Sequence, residues 1–325
     1  MKPAALRIDQ GHGLATLIAM LSLLSGCASD PVAAPAKPTV QSTAPTRAPA
    51  PASSHTTAKR PPPAAVARSQ TKPSCKVRND SVAWEYRSGP CRNGYLHGEG
   101  EAESADGQRH YRGGFMNGAF HGQGQYDWGN GVQYTGGFAR GAKSGRGTIV
   151  YADRRKYTGD FLNNVYHGKG VYTDADGSIY EGEFRNGRFN GAGVYNWANG
   201  DRYTGQFKDD LMDGEGVYVR ANGETYSGPF SKNDREGTGR YSWPNGDRYE
   251  GAFHANEMNG EGNYTHADGS RYSGAFANGK KHGPGKLVTA NGEFRQRWER
   301  GEKTAEELLP AAAEKTPPDA AAAPR

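Results

Sequence analysis

The nine residues NGDRYTGQF at 199–207 return almost unchanged as NGDRYEGAF at 245–253. Alignment on their Tyr-x-Gly-x-Phe core shows a period of 23 residues that holds without slippage over eight copies. The tyrosines of these copies are Tyr111, Tyr134, Tyr157, Tyr180, Tyr203, Tyr226, Tyr249 and Tyr272. A repeat of this length at constant spacing predicts an array of stacked units rather than one globular core.

Each copy keeps further positions, which are numbered from its tyrosine as position zero. Position two is glycine, position four is phenylalanine, and positions eleven and thirteen form Gly-x-Gly. In the copy of Tyr203 these residues are Gly205, Phe207, Gly214 and Gly216. Position fifteen is tyrosine except at Ile149 and Leu287. The pattern indicates one backbone arrangement used eight times.

Two turn signals divide each copy into strands. Positions six and seven hold pairs such as Asn186-Gly187, which tolerate positive φ and predict a two-residue hairpin turn. A second signal, such as residues 198–200 (Ala-Asn-Gly), predicts a three-residue loop closed by a left-handed glycine, and residues 290–292 are assigned the same loop. Arg154 replaces that glycine in one copy, so we expect the loop at 152–154 to differ.

The two turn lengths fix a strand register. Within a hairpin they place Tyr203 opposite Gly216 and Gly205 opposite Gly214. Between copies they place position eleven opposite the next position four, and position fifteen opposite the next tyrosine. All signature residues then lie on one face, because strand side chains alternate with period two. The predicted fold is all-β, an elongated single-layer antiparallel sheet of stacked β-hairpin repeats.

The first residues have the features of an export signal. A basic start and a short apolar run at residues 14–24 predict a signal peptide over 1–26, too short for a transmembrane helix. The ending Leu-Ser-Gly-Cys resembles the bacterial lipobox, which implies that Cys27 carries a lipid. Ala28 after it implies transport to the outer membrane, facing the periplasm. The alternative is an ordinary signal peptide with an incidental cysteine.

Composition divides the rest of the chain. Residues 27–73 are rich in proline and alanine and predict a disordered tether, and residues 302–325 predict a disordered tail. Between them we expect an N-terminal cap at 74–109 and the repeat array at 110–301. The net charge of +5 belongs to residues 1–73, which hold a surplus of six positive charges. The folded part is near neutral, which argues against a nucleic-acid partner.

The signature and its period resemble those of the MORN repeat (membrane occupation and recognition nexus). The resemblance covers about residues 111–292, with a degenerate copy on each side. The upstream copy contains Gly94, Gly98, Gly100 and Gly107, and the downstream copy contains Phe294, Trp298 and Gly301, one residue out of phase. The family implies a sheet with an aromatic groove that serves as a scaffold for protein or lipid contacts, and no catalysis.

Catalytic and metal-binding patterns are absent from the sequence, so we expect no enzyme activity, no metal and no cofactor. His97, His121, His167 and His282 precede the glycine pairs, but His121 and His167 are two repeats apart, about 19 Å at the usual strand spacing. That separation is too long for a shared zinc ion. Cys75 and Cys91 form an even pair once Cys27 is lipidated, and in an exported chain they predict a disulfide.

Two kinds of ligand remain open. The first is an envelope protein, held by a lipid-anchored, non-enzymatic scaffold. The second is a cell-wall polysaccharide or a phospholipid bound on the aromatic face. The candidate binding residues are Trp128, Trp197 and Trp243 at position seventeen with Tyr195 and Tyr241. Tryptophans there could stack on sugar rings, or they could simply cover the ends of the turns.

Overall fold

The computed structural model describes residues 74–78 and 82–310, so the predicted signal segment, Cys27 and the tether lie outside the described residues. No stretch within the described residues forms a helix long and apolar enough to cross a membrane. The strands are β1 Trp84–Ser88, β2 Cys91–Arg92, β3 Tyr95–Leu96, β4 Gly98–Ser104, β5 His110–Met116, β6 Ala119–Asp127, β7 Gln133–Ala139, β8 Ala142–Val150, β9 Lys156–Leu162, β10 Val165–Thr173, β11 Ile179–Arg185, β12 Arg188–Asn196, β13 Arg202–Lys208, β14 Leu211–Val219, β15 Thr225–Ser231, β16 Asp234–Arg235, β17 Gly237–Ser242, β18 Arg248–His254, β19 Glu257–Thr265, β20 Arg271–Ala277, β21 Lys280–Thr289, β22 Gly292–Glu299 and β23 Glu302–Leu308.

The strands build one open antiparallel sheet of consecutive hairpins. Strand β1 pairs with β4, and from β4 to β23 each strand follows its neighbour in chain order to give 21 strands. The two-residue strands β2 and β3 form a separate hairpin. The all-β hairpin sheet predicted from the period is therefore confirmed, with β1 and β23 as its edges.

The register between copies is confirmed, and the register within each hairpin was predicted wrongly. Gly191 faces Phe207 and Tyr195 faces Tyr203 across the loop between copies, as predicted. Within the hairpin, however, Tyr203 faces Tyr218 rather than Gly216, and Gly205 faces Gly216 rather than Gly214. Within the hairpin and between copies alike, position fifteen therefore faces the tyrosine of position zero, and position thirteen faces the glycine of position two.

A two-residue bulge causes the shifted register. In the hairpin of β11 and β12, Glu183 faces Asn190 while the preceding Gly182 faces Gly193, so Gly191 and Ala192 are extra residues on β12. Gly191 has a φ of 63°, a left-handed conformation that glycine adopts without strain. The first glycine of Gly-x-Gly thus adopts the left-handed conformation of the bulge, and the second is the residue at which regular strand pairing resumes.

The second glycine gives the ring of position zero its space. A Cβ at Gly193 would lie 2.6 Å from Cε2 and from Oη of Tyr180, inside van der Waals contact. The Tyr180 hydroxyl donates to the carbonyl of Glu183 at 2.9 Å, which holds the ring flat over the glycines. Phe184 packs edge-on at 5.2 Å, in the geometry that aromatic pairs prefer. Rows of tyrosine and glycine therefore cross the sheet side by side.

The predicted two-residue turns are confirmed, and each is completed by the preceding repeat. Asp209 and Asp210 have φ values of 49° and 71°, as a type I′ turn requires. The Asp210 N–H donates to the carbonyl of Phe189 at 3.1 Å, and its carboxylate accepts from the Phe189 N–H at 2.8 Å. Asn164 makes the same pair of bonds to Lys143 at 3.0 and 2.8 Å.

The three-residue loops follow the prediction with three differences. The Trp197 N–H bonds to Asp201 O and Gly200 closes the loop with a φ of 90°. Arg154 adopts a φ of 75° in the same hydrogen-bonded loop, so the expected deviation there was wrong. Two other loops do differ. The first is 129–131, where Gly129 also has a positive φ, of 74°. At residues 290–291 the loop has two residues, because Thr289 pairs with Gly292.

The strained arginine offers a direct stability test. Arg154→Gly should raise the free energy of unfolding by up to about 1 kcal/mol, because glycine adopts positive φ without the steric cost that side chains meet. Gly177 stands at the equivalent position with a φ of 92°, and no heavy atom lies within 4 Å of the point that a Cβ there would occupy. Gly177→Arg should therefore lower stability by a similar amount. Denaturant unfolding measures both, and a neutral result for both would contradict the strain.

The N-terminal cap packs against the first repeat. Cys75 and Cys91 are joined in a disulfide with Cα atoms 5.6 Å apart, the pairing that the sequence predicted. Lys76 next to it bonds to the hairpin of β2 and β3 through Gly94 and Leu96. The disulfide segment thus lies beside the small hairpin, whereas β1 forms the edge of the main sheet.

The C-terminal tail was predicted to be disordered from residue 302, and this was wrong for its first residues. Residues Glu302–Leu308 form β23, which pairs with β22 over its whole length. Arg300 and Gly301 have φ values of 52° and 90° and make the same two-residue turn as the full repeats. Residues 311–325 lie outside the described residues.

Candidate functional site

The face that carries the signature residues is a packed core. Tyr180 and Tyr203 are fully buried, and the phenylalanines of position four are also buried. Tyr195 and Tyr241, which were predicted to bind a ligand, expose only 3% and 8% of their surface. Their rings support the sheet and present little area to a partner. The accessible part of this face is therefore limited to side chains at its margins.

The three candidate tryptophans lie at one such margin, directly after β6, β12 and β17. They are half-buried and pack against the aromatic core. Trp197 stands between Tyr195 at 4.5 Å and Tyr218 at 5.3 Å, and Trp243 stands between the equivalent tyrosines at 4.6 and 5.3 Å. The indoles thus cover the strand ends, as one interpretation of the sequence expected, and they keep some exposed surface.

Carboxylates order the same margin. Tyr241 donates its hydroxyl to Glu224 and Tyr264 donates to Asp247, each at 2.7 Å. These hydrogen bonds hold the pKa of both carboxyl groups below the usual range. Asp247 also accepts the N–H of Ala267 in the next loop at 2.8 Å. The loops between copies are thereby tied to one another by ionised side chains.

Position nine carries functional candidates that the sequence analysis did not identify. Its side chain lies against the position-zero tyrosine, as in Tyr180 and Phe189, whose rings stack at 3.7 Å. In three copies this residue is a cation, namely Lys143, Arg235 and Lys281. Burial lowers the pKa of Lys143 to about 8 and also lowers the pKa of Lys281. A signal was available in the sequence, because a cation replaces an aromatic residue or methionine at this one fixed position in three of the eight copies.

Two of the four histidines singled out in the sequence, His97 and His282, support the turns of the following repeats. His97 accepts a hydrogen bond from the N–H of Asn117 at 3.3 Å, and His282 accepts one from Arg300 at 3.4 Å. Across residues 74–78 and 82–310, no group of three or more His, Cys, Asp or Glu side chains is placed to hold a metal ion. The surface of the described residues therefore offers rings, cations and hydrogen-bonded carboxylates.

The sheet and its repeated turns define the class of protein. The model of the MORN repeat matches nine segments, which are residues 92–109, 111–133, 134–154, 157–179, 180–202, 203–225, 226–248, 249–271 and 272–294. These segments span more than half of the chain, so the chain belongs to the MORN repeat family. Members of this family are generally binding scaffolds without enzymatic activity. The predicted upstream copy is included in the match, whereas of the predicted downstream copy only Phe294 is included and Trp298 and Gly301 lie beyond it.

Among solved structures, two TCP domains show a low similarity to the chain. The TCP10 domain of Danio rerio CPAP has 15% identity and a TM-score of 0.32, over 65% of this chain and 95% of that chain. The SAS-4 TCP domain of Drosophila melanogaster, solved with a proline-rich motif of Ana2, has 13% identity and a TM-score of 0.24, over 69% and 97%. These values support no conclusion about function. No curated protein matches the chain.

Proposed function

We propose that the protein is a non-enzymatic scaffold of the cell envelope that binds another protein through the margin of its aromatic face. The observation that carries this proposal is the row of half-buried tryptophans at the strand ends, along one margin of the repeat sheet. Tryptophan is enriched among the residues that dominate protein interfaces, where it combines large apolar area with limited flexibility. A repeat array also offers an extended surface in place of a pocket.

A polysaccharide ligand is the second candidate, and the surroundings of the indoles favour it less. Stacking of a sugar requires a free ring face. Trp197 and Trp243 are each flanked by tyrosine rings of two consecutive repeats within 5.3 Å. Trp128 has Tyr126 at 4.1 Å and the Lys143 ammonium at 5.1 Å. An edge-on contact with a protein side chain needs less of the ring than a sugar does.

The proposed setting follows from residues outside the described part of the chain. Cys27 at the end of the predicted signal segment would carry the lipid, and Ala28 would direct the protein to the outer membrane. The tether of residues 27–73 would average about 40 Å end to end as a flexible chain. In this arrangement the scaffold reaches partners in the periplasm from an anchored position.

Paired tryptophan variants test the binding margin. Trp197→His combined with Trp243→His should lower the recovery of a crosslinked partner from intact envelopes by at least about tenfold, since buried aromatic anchors dominate binding energy. Histidine is chosen because His266 occupies the same position and packs on Tyr264 at 4.6 Å, which shows that the fold accepts it. The melting temperature should stay within a few degrees.

A charge reversal on the opposite face is the matched control. Arg202→Glu with Arg248→Glu changes exposed residues of β13 and β18 and should leave partner recovery unchanged. Loss of capture in this control, with normal capture in the tryptophan variant, would place the binding surface on the charged face.

A further inference from the structure

Position nine forms a row along the aromatic face with two kinds of residue. In five copies it is apolar, as Phe120, Tyr166, Phe189, Met212 and Met258. In the other three it is Lys143, Arg235 or Lys281. Tyr111 and Tyr157 stack on their position-nine rings at 3.7 and 3.9 Å, so this is a site that an aromatic ring fills well. A cation in such a site needs a reason beyond packing.

Each of the three cations is enclosed by aromatic rings, and we call these arrangements the cation cages. Lys143 Nζ lies 5.1, 5.8 and 6.0 Å from the ring centroids of Trp128, Tyr134 and Phe161. The Arg235 guanidinium is 5.1, 5.5 and 5.6 Å from its rings, and Lys281 Nζ is 4.4, 4.9 and 5.9 Å from its own. In the same order, the rings are Tyr241, Phe253 and Tyr226 for Arg235, and Tyr272, Trp298 and Tyr264 for Lys281.

None of the three has an acidic partner within the described residues. The ion pairs found there do not include Lys143, Arg235 or Lys281. Arginines of the opposite face do find carboxylates, as Arg240 does with Glu250 at 3.2 Å. Arg235 donates to the carbonyl oxygen of Asn256, which does not neutralise its charge.

An unpaired cation in a partly desolvated site is unfavourable, and cation–π attraction offsets only part of that cost. The lowered pKa of Lys143, caused by its burial, agrees with this view. An external anion would supply the missing negative charge and additional hydrogen-bond acceptors. It would enter beside the half-exposed indole of Trp128 in the first cage, at the same margin of the sheet as the other tryptophans.

We propose that the cation cages receive the carboxylates of an acidic, extended polypeptide segment. The proposal rests on the function proposed above and specifies the chemistry of the partner. Charge complementarity favours this occupant, since none of the three cations is ion-paired among the described residues. The nearby carboxylates of Glu224 and Asp247 accept from the hydroxyls of Tyr241 and Tyr264 and form no ion pair with a cage cation. The chain's own tether is a poor occupant because residues 1–73 carry a surplus of six positive charges.

The spacing of the cages sets the length of that segment. Arg235 and Lys281 lie two repeats apart, which corresponds to about 19 Å at the usual spacing between strands. Lys143 and Arg235 lie four repeats apart, or about 38 Å. An extended chain rises about 3.3 Å per residue, so acidic residues separated by about six and about twelve positions would match the cages.

The test measures binding of poly-L-glutamate of about 20 residues to the purified full-length protein at low ionic strength, with tryptophan fluorescence and calorimetry as readouts. Lys143→Met, Arg235→Met and Lys281→Met together should weaken binding by at least about tenfold, because desolvated charge pairs contribute strongly to affinity. Met212 and Met258 occupy this position in other copies, so the variant should fold, and its melting temperature verifies this.

The control removes the same charge from the opposite face. Lys156→Met, Arg248→Met and Arg271→Met change exposed residues that make no ion pair among the described residues, and binding should stay within about twofold of the original. Equal weakening in both variants, or no binding of poly-L-glutamate at all, would overturn the proposal. Tighter binding of an oligogalacturonate of equal charge would replace it with an acidic polysaccharide.

The peptide measurement and the envelope experiment fail independently. The first uses purified protein and a defined acidic polymer, and it reports on the cages alone. The second reports whether any envelope protein contacts the tryptophan margin. Suppose that an envelope protein is captured normally and that the cage variant binds poly-L-glutamate as well as the original protein does. The scaffold proposal would then stand, and the proposal of an acidic partner would be rejected.

Discussion

Gly193→Val is expected to lower the free energy of unfolding by about 3 kcal/mol or more, which is at the upper end of the cost of overpacking. The added Cβ would lie 2.6–2.8 Å from ring atoms of Tyr180, so the ring has to leave its position over the glycine row. Displacing it breaks the hydrogen bond from its hydroxyl to Glu183 and the stacking on Phe189. Chemical denaturation followed by near-ultraviolet circular dichroism measures the loss.

Ala192→Val is the control for this substitution. Ala192 is the neighbouring residue of β12, is exposed, and belongs to the bulge. Valine has a favourable strand propensity, and a surface change of this kind typically alters stability by about 0.5 kcal/mol or less. Similar losses for the two variants would show that ring clearance is not what the second glycine of Gly-x-Gly provides.

Cys27→Ser is expected to move the protein from the membrane fraction to the soluble fraction. A single acyl chain binds a membrane only marginally, whereas two or more chains anchor a protein stably, so loss of the proposed acylation site should release nearly all of it. Fractionation of cells and mass spectrometry of the mature N-terminus measure the change. The prediction depends on the lipobox-like ending of the signal segment.

The matched control is Cys75→Ser with Cys91→Ser, which removes the disulfide and leaves the proposed anchor in place. That variant should remain with the membrane even if its stability falls. Unchanged fractionation of Cys27→Ser, together with an unmodified N-terminal mass in the original protein, would exclude the anchor.

The repeat sheet was predictable because its turns depend on backbone conformations that few residues accept. Pairs such as Asn186-Gly187 need positive φ at both positions, and they recur every 23 residues. The bulge was missed because Gly191 and Gly193 look equivalent in sequence, although only the first is left-handed. Counting residues from a turn assumes an uninterrupted ladder, and that assumption failed after Asn190.

The candidate site was less predictable than the fold. A repeated signature draws attention to its invariant positions, and those proved to be the core, as the buried Tyr195 and Tyr241 show. The charged groups of this face lie at a position that differs between copies, and Lys143 is one of them. Its environment combines rings from three different repeats, which no local pattern in the chain brings together.

The hydrogen bonds that complete each two-residue turn come from the repeat before it, and this gives the array a direction. The turn residue Asp210 bonds to the backbone of Phe189, and Asn233 bonds in the same way to Met212. Each hairpin therefore provides these backbone partners only for the turn of the repeat that follows it toward the C-terminus. The first full repeat is preceded by the degenerate copy of residues 92–109. The carbonyl of Leu96 in that copy accepts the Gly118 N–H, and the Gly118 carbonyl accepts the N–H of Arg78 in the cap. We therefore expect copies to be gained or lost during evolution at the C-terminal end of the array, because the N-terminal end depends on the bonds that Leu96 and Arg78 make to Gly118.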